Sequence, residues 1–377
     1  MSAAERTLFV VACTLPSLVI SLAATYVVRS QAIRWGLIDL PGERKVHAQP
    51  TPRGGGLAIW LAVILVFAAG QVLLWLVEHV PAAQALVPPF AQPHLAGIEA
   101  HAGRLWLLLA AGTILAGLGL LDDRGGLPWH ARLAVEFAVA AVCVWLLPSL
   151  RLTAFLPYPL ATGALSVLWI VALINAFNML DNMDGLSAGV AVIAGGMLAA
   201  VLLTPSAATE RPQLFVAGLL LVLVGAVLGF LWHNRPPARI FMGDSGAYFI
   251  GFVIAAGTLL ASYTGYHSPQ RHAILAPLLV MAVPLYDMVS VILIRLREGR
   301  SPFEADKNHL SHRLVDLGLT KVQAVLTVYL TTATCGLGAL LLSRVDATGA
   351  VLIVLLIGCV LGLVAILETT ARRTIRR

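Results

Sequence analysis

Long apolar runs separated by short polar connections dominate the chain, and the run lengths decide its class. Stretches near 20 residues, enough for a helix to cross about 30 Å of hydrocarbon, recur at 7–28, 54–77, 104–121, 130–147, 160–177, 185–203, 213–232, 246–263, 272–295, 321–342 and 349–368. The pattern predicts an all-α polytopic membrane protein with about eleven transmembrane helices. The first run follows Arg6 as a signal peptide would, but it is long enough to span. It also runs into Arg29 without a small-residue cleavage site, so it reads as a retained helix. Residues 1–377 read as one integral membrane domain, ending in a basic tail at 369–377.

Composition agrees. The chain is 59% hydrophobic and 12% charged, with a mean hydropathy of +0.88, whereas soluble domains run about 45–50% apolar and about 25% charged. The four cysteines lie in apolar runs without CxxC spacing, so neither a disulfide framework nor a thiolate metal site is indicated. Of the 25 Lys and Arg, 19 fall in alternate connections and the tail. The positive-inside rule makes that side cytoplasmic, with the N-terminus outside and the C-terminus inside. The net charge of +6 sits mostly on that face, where it serves topology and attraction to anionic lipid. No basic stripe interleaved with aromatics suggests nucleic acid.

The acids change the picture. Asp122, Asp123, Asp181, Asp184 and Asp244 all fall at the cytoplasmic ends of predicted spans, while the external loops are mostly Pro, Ala, Leu and Tyr. A carrier working by alternating access would place its ionisable groups near the midplane. The asymmetry favours an enzyme at the inner membrane surface over the rival reading, a cation-coupled transporter. A catalytically idle scaffold is disfavoured because the acids of every motif are present.

The richest stretch is Asn175–Gly189, NAFNMLDNMDGLSAG. A carboxylate in a span costs a few kcal/mol, so two carboxylates beside two amides point to a ligand. On helical spacing Asn178, Asp181 and Asp184 lie on one face and converge. Hard carboxylates with amide oxygens suit Mg²⁺, Mn²⁺ or Ca²⁺ rather than zinc. The structural alternative is that Asp184 caps the next helix. Asp122 and Asp123 close a helix as GLGLLDDRGG, where they oppose the macrodipole and repel each other, so a cation or a catalytic need explains them better. RIFMGDSG, 239–246, brings a carboxylate and backbone N–H groups to one helix start, with Asp244 either a cap or a phosphate–metal ligand and Phe241 either a stacking surface for a base or simply packed.

The longest cytoplasmic connection, 295–321, holds His309 and His312 at i, i+3 with Lys307 and Arg313 alongside. A zinc-protease HExxH is not present, and imidazoles among cations suit a diphosphate. The connection LPGERKVHAQPTPRGGG gathers Arg44, Lys45, His47 and Arg53, which topology alone could also explain. Asp287 reads as structural, and Arg132 and Glu136, at i, i+4, as an ion pair.

DNMDGLSAG superficially matches the DxxDGxxAR signature of the CDP-alcohol phosphotransferases, but Gly189 stands where Arg is needed and the later aspartates do not follow. The full set KVHAQPTPRGGG, LLDD, NMLDNMDG, FMGDSG, PLYDMVSV and DKNHLSHRL, from Lys45 to Leu314, resembles instead the polyprenyl-phosphate N-acetylhexosamine-1-phosphate transferases of glycosyltransferase family 4. The span count and inside C-terminus are similar to the bacterial branch that makes undecaprenyl-diphosphate N-acetylglucosamine. Ser311 stands where that branch usually has His. The related muramoyl-pentapeptide transferases carry three consecutive histidines, which this chain lacks.

The resemblance implies a bacterial cytoplasmic (inner) membrane enzyme, active on the cytoplasmic face, that moves N-acetylglucosamine 1-phosphate or a related sugar phosphate from a UDP-sugar to undecaprenyl phosphate. It would release UMP in the first membrane step of a cell-envelope glycan such as lipopolysaccharide. On this view Asp181 and Asp244 hold Mg²⁺, with Mn²⁺ as a substitute. Asp122 or Asp123 faces the lipid phosphate, and Asp184 and Phe241 contact the uridine. Asn178 orients the metal site, while Lys45, His309, His312 and Arg313 meet the diphosphate. Direct attack and an aspartyl-phosphate intermediate both stay open, and so does oligomeric state, a homodimer included.

Overall fold

The computed structural model describes residues 1–39, 50–85, 87, 91–152, 156–204, 212–264, 270–304 and 306–375, the last seven by backbone alone. Every predicted apolar run lies on a helix. In chain order these are α1 (Ala3–Gln31), α2 (Gly55–His79), the short α3 (Pro81–Gln84), α4 (Leu95–Gly125), α5 (Trp129–Leu146), α6 (Pro159–Leu180), α7 (Leu186–Leu203) and α8 (Leu214–Asn234). They continue as α9 (Asp244–Leu260), α10 (Ala276–Val280), α11 (Ala282–Arg297), α12 (Leu310–Asp316), α13 (Lys321–Leu342) and α14 (Ala347–Ile375). Among the described residues nine helices are long and apolar enough to cross a membrane, or ten if α10 and α11 make one bent span.

The two departures from a plain count of eleven have local causes. α10 and α11 meet at 63°. Pro284, in the first turn of α11, has no N–H to return to the Val280 carbonyl, so the ladder breaks there. α9 has 17 residues, short for a span. Every residue from Ser245 to Thr258 is buried, because α2, α4, α6 and α8 pack around it. A helix apolar all round and enclosed by others is a core element rather than a lipid-facing one.

One further feature departs from the all-α expectation. Two-residue strands β1 (Ile38–Asp39) and β2 (Thr51–Pro52) pair antiparallel, Ile38 with Pro52 and Asp39 with Thr51. Nothing so short leaves a two-residue period to read. Its value is positional: the Phe241 N–H donates to the Pro52 carbonyl at 2.8 Å, and Gly55 N–H to the Phe241 carbonyl at 3.0 Å. The start of α2 is thus stitched to the approach to α9.

Hydrogen bonds and ion pairs bring the ends of α4, α6 and α8 together with the starts of α2, α5, α7, α9 and α12. The close approach of α4 to α9 there requires Gly119, since a Cβ at that position would lie 2.4 Å from the Asp244 carbonyl carbon. Small residues at such crossings let membrane helices touch along their backbones.

Candidate active site

Successive helical residues point about 100° apart, so Asp122 and Asp123, at the end of α4, face different partners. Asp123 turns inward. Its Oδ1 accepts the Asp244 N–H at 3.0 Å and its Oδ2 the Ser245 N–H at 3.3 Å, placing a carboxylate on the unpaired amides at the start of α9. Gly243 makes room: its φ is +76°, and a Cβ would stand 2.5 Å from Asp123 Oδ2. Arg53 approaches the same carboxylate, Nε to Oδ1 at 3.5 Å, and reaches Asp39 at 3.7 Å. The Asp123 side chain is fully sealed while Arg53 is partly exposed.

Asp122 faces the start of α5. Arg132 Nη1 lies 2.6 Å from its Oδ2, Leu127 N–H donates to Oδ1 at 2.5 Å, and the Tyr248 hydroxyl stands 3.4 Å away. Arg132 therefore does not pair with Glu136 as its i, i+4 spacing suggests. Glu136, buried one turn deeper, takes Asn175 Nδ2 at 2.5 Å. The acid at the helix terminus takes the guanidinium, and an amide satisfies the deeper carboxylate.

α6 stops at Leu180, so the helical spacing of Asn178, Asp181 and Asp184 does not hold beyond its first member. Asn178 Nδ2 donates to Asp244 Oδ1 at 2.6 Å. Asp181, just past the helix, faces the Gly243 amide at the approach to α9. Asp184 points elsewhere: its Oδ2 takes the Ala238 N–H at 2.9 Å, tethering the connection before α9. It does not cap α7, whose N-cap is Gly185 at φ +75°. Asp181 and Asp244 keep partly exposed edges. Burial, with the nearby charge of Asp123, pushes the Asp181 carboxyl up to about 7 despite the opposing pull of Arg53.

The histidine connection closes over this region. Asp287, in α11, accepts from His309 Nδ1 at 2.9 Å and from the Leu310 N–H at 2.5 Å, so it anchors the start of α12 in the structural role its depth suggests. His312 is half-buried, 6.4 Å from the His309 ring, and burial together with that neighbour lowers its pKa. Ser311 donates to Asn182 Oδ1 at 2.5 Å, joining α12 to the Asp181 turn. Arg313 is turned into helix packing: 4% exposed, with Nε 2.9 Å from Glu368 of α14 and Nη2 donating to Ser290 of α11 at 2.8 Å. Asp306, beside Arg295, Arg300 and Asn308, braces the connection. Burial would raise its pKa, but bonds from Arg295 and Asn308 hold it well below the usual carboxylate range.

Asp122, Asp123, Asp181, Asp244 and Asn178 thus come together directly, with Phe241 joined through its backbone and His309 and His312 carried on a helix pinned alongside. Asp184 and Arg313 are committed to neighbouring protein groups. Lys45, with Arg44 and His47, lies outside the described residues. In the sequence neither Arg132 nor Tyr248 stands out as a site residue. An arginine nine or ten residues after an acid pair is ordinary membrane-edge patterning, and a tyrosine one turn into an apolar run looks like core.

A multi-pass helical membrane protein that gathers four aspartates and two arginines at one end of its bundle has the makings of an enzyme for anionic substrates. Residues 105–262 match the family model described as glycosyl transferase family 4. The chain is 34% identical over 349 residues to decaprenyl-phosphate N-acetylglucosaminephosphotransferase of Mycobacterium tuberculosis, covering 86% of this chain and 80% of that protein. It is 31% identical over 335 residues to the probable undecaprenyl-phosphate N-acetylglucosaminyl 1-phosphate transferase of Bacillus subtilis, covering 86% and 83%. The Yersinia pestis undecaprenyl-phosphate alpha-N-acetylglucosaminyl 1-phosphate transferase is 29% identical over 327 residues, covering 83% and 79%. The chain belongs to glycosyl transferase family 4.

Proposed function

We propose that the protein transfers N-acetylglucosamine 1-phosphate from its UDP conjugate to a polyprenyl phosphate, releasing UMP, at the cytoplasmic face of a bacterial inner membrane. The observation that carries this reading is the convergence of Asp181 and Asp244, partly exposed, at the start of α9, with Asp123 holding the Asp244 amide and Arg53 behind it. Two phosphate-bearing substrates repel each other, and bringing them together is the main demand of phosphoryl transfer.

The donor set fits a magnesium ion. Among the described residues no three His, Cys, Asp or Glu side chains form a ready-made cage. Mg²⁺ is commonly held by one or two carboxylates, with water and substrate phosphates filling the remaining positions. Asp181 and Asp244 would hold it, and when bound it would supply the charge that lets two phosphates approach.

The chain's own residues supply the rest. Asn178 fixes the Asp244 carboxylate by donating to one of its oxygens. Arg53 is a partly exposed cation next to four aspartates, placed to meet a phosphate that enters beside them. Arg132, held by Asp122, presents a second partly exposed guanidinium beside the α4–α5 turn. In the reaction an oxygen of the lipid phosphate attacks the phosphorus that bears the sugar, and the bond from that phosphorus to the oxygen kept by UMP breaks. A phosphate monoester has a second pKa near 6, so the nucleophile is largely ionised at neutral pH and a strong base is unnecessary. The sealed Asp123 carboxylate then serves to set charge and position.

The test is incubation of membranes carrying the protein with a panel of radiolabelled UDP-sugars and undecaprenyl phosphate. Lipid-linked product and UMP should appear with UDP-N-acetylglucosamine, require Mg²⁺, and vanish in Asp181→Ala and Asp244→Ala proteins that still insert and fold. Full activity in either variant would sink the metal assignment, and no product from any UDP-sugar would sink the reaction.

A further inference from the structure

Ser311 lies one residue before His312 and is 1% exposed. Its hydroxyl donates to Asn182 Oδ1 at 2.5 Å, across 129 residues of sequence. The same amide donates from Nδ2 to the Met179 carbonyl at 2.8 Å, and its backbone N–H reaches the Leu180 carbonyl at 2.9 Å. Asn182 therefore closes the tight turn that presents Asp181, and Ser311 occupies the acceptor oxygen that this closure leaves over. The rest of that turn is fastened from other directions: Asn178 to Asp244, Asp184 to Ala238 and the Gly185 N–H to Asn234. None of these bonds reaches α12. Ser311 is the polar side chain through which the helix bearing His312 is registered on the Asp181 turn.

We infer that Ser311 is a positioning residue that couples the two halves of the donor site. Its bond to Asn182 holds the histidine helix and the Asp181 carboxylate at a fixed separation, so that one UDP-sugar diphosphate can engage both. The inference rests on the transferase reading for its substrate, but the bond itself can be tested without turnover. α12 has only seven residues and is fixed at its start by Asp287 and on its flank by Glu368. Losing the Ser311 bond leaves the helix folded and frees its register against the turn. A hydroxyl is needed at this place and a methyl cannot replace it, because Asn182 Oδ1 would then lack its donor.

The experiment compares purified full-length wild type, Ser311→Ala, Ser311→Thr, Asn182→Ala and the Ser311→Ala/Asn182→Ala double variant. Donor KM, kcat, the Mg²⁺ concentration for half-maximal rate, melting temperature, and hydrogen exchange over residues 178–185 and 309–316 are measured for each. Ser311→Ala should raise donor KM and the Mg²⁺ requirement about five- to tenfold, the scale of one lost buried hydrogen bond. Exchange over 178–185 should quicken while the melting temperature holds. Ser311→Thr should restore wild-type values, and the double variant should be no worse than the worse single one. Unchanged KM, Mg²⁺ requirement and exchange in Ser311→Ala would overturn the inference, as would failure of Thr to rescue or additive losses in the double variant. If Ser311→Ala does not fold, Ser311→Thr and Asn182→Ala still decide the matter. A wild type that makes no lipid-linked product counts against the transferase reading, and the exchange comparison then judges the coupling alone.

Discussion

Asp123 lies across the start of α9, its Oδ1 3.0 Å from the Asp244 nitrogen and its Oδ2 3.3 Å from the Ser245 nitrogen. One acid thus organises the backbone that carries another. Asp123→Ala should leave two amides unpaired and cost about 1–3 kcal/mol, while Asp123→Asn keeps one acceptor and costs less. Thermal melting in detergent should rank them wild type, Asn, Ala. Turnover should fall by at least about a hundredfold in both, the scale of removing a preorganised charge from a phosphoryl-transfer site. A fully active Asp123→Ala would show that the charge is dispensable.

Asp181 gives a pH dependence whose sign follows from its raised pKa of about 7. Between the ordinary aspartate value near 4 and about 7, the folded protein keeps a proton that the unfolded chain has released. Metal-free protein should therefore be steadily less stable as pH rises through that window, and level above it. Asp181→Asn should flatten the slope. Magnesium must displace the same proton, so the Mg²⁺ needed for half-maximal rate should fall as pH rises from 6 toward 8. Melting curves at several pH values, with and without Mg²⁺, check both statements.

The Arg313–Glu368 pair is almost fully buried, at 4% and 6% side-chain exposure. Removing one partner of such a pair typically costs about 3–5 kcal/mol, whereas replacing both with apolar residues of similar size can be neutral. Glu368→Ala should lower the melting temperature sharply, and Arg313→Met combined with Glu368→Met should recover much of it. Recovery of fold and of donor KM together would assign Arg313 to packing rather than to the diphosphate.

At Gly119 even one methyl is too many. A Cβ there meets the Asp244 carbonyl carbon at 2.4 Å, so Gly119→Ala should push α4 from α9 and carry Asp122 and Asp123 with it. Loss of activity should exceed loss of stability, measured as initial rate against melting temperature. Gly117, two residues away with open space around it, is the control position for the same substitution.

Much of the architecture could be read from run lengths, because a bilayer leaves few alternatives to apolar helices of a set size. The acids could be read as well: Asp122, Asp123, Asp181 and Asp244 are costly at span ends and look placed for chemistry. Their partners were less legible. Asp184 sat on the right helical face only if α6 continued, and it does not continue past Leu180. Arg132 had two acids within reach, and spacing alone favoured Glu136 over the Asp122 it meets. Arg313 resembled a phosphate ligand because its partner, Glu368, lies far along the chain in another apolar run. Long-range pairing leaves no local period, so such commitments emerge only when the helices are assembled.

The Glu368 contact has a consequence for biogenesis. The helix bearing the two imidazoles is clasped from one flank by a carboxylate synthesised some 55 residues after it. A ribosome that has already threaded every aspartate into the membrane still has an unfinished catalyst on its hands. Turnover should switch on only once α14 has been inserted.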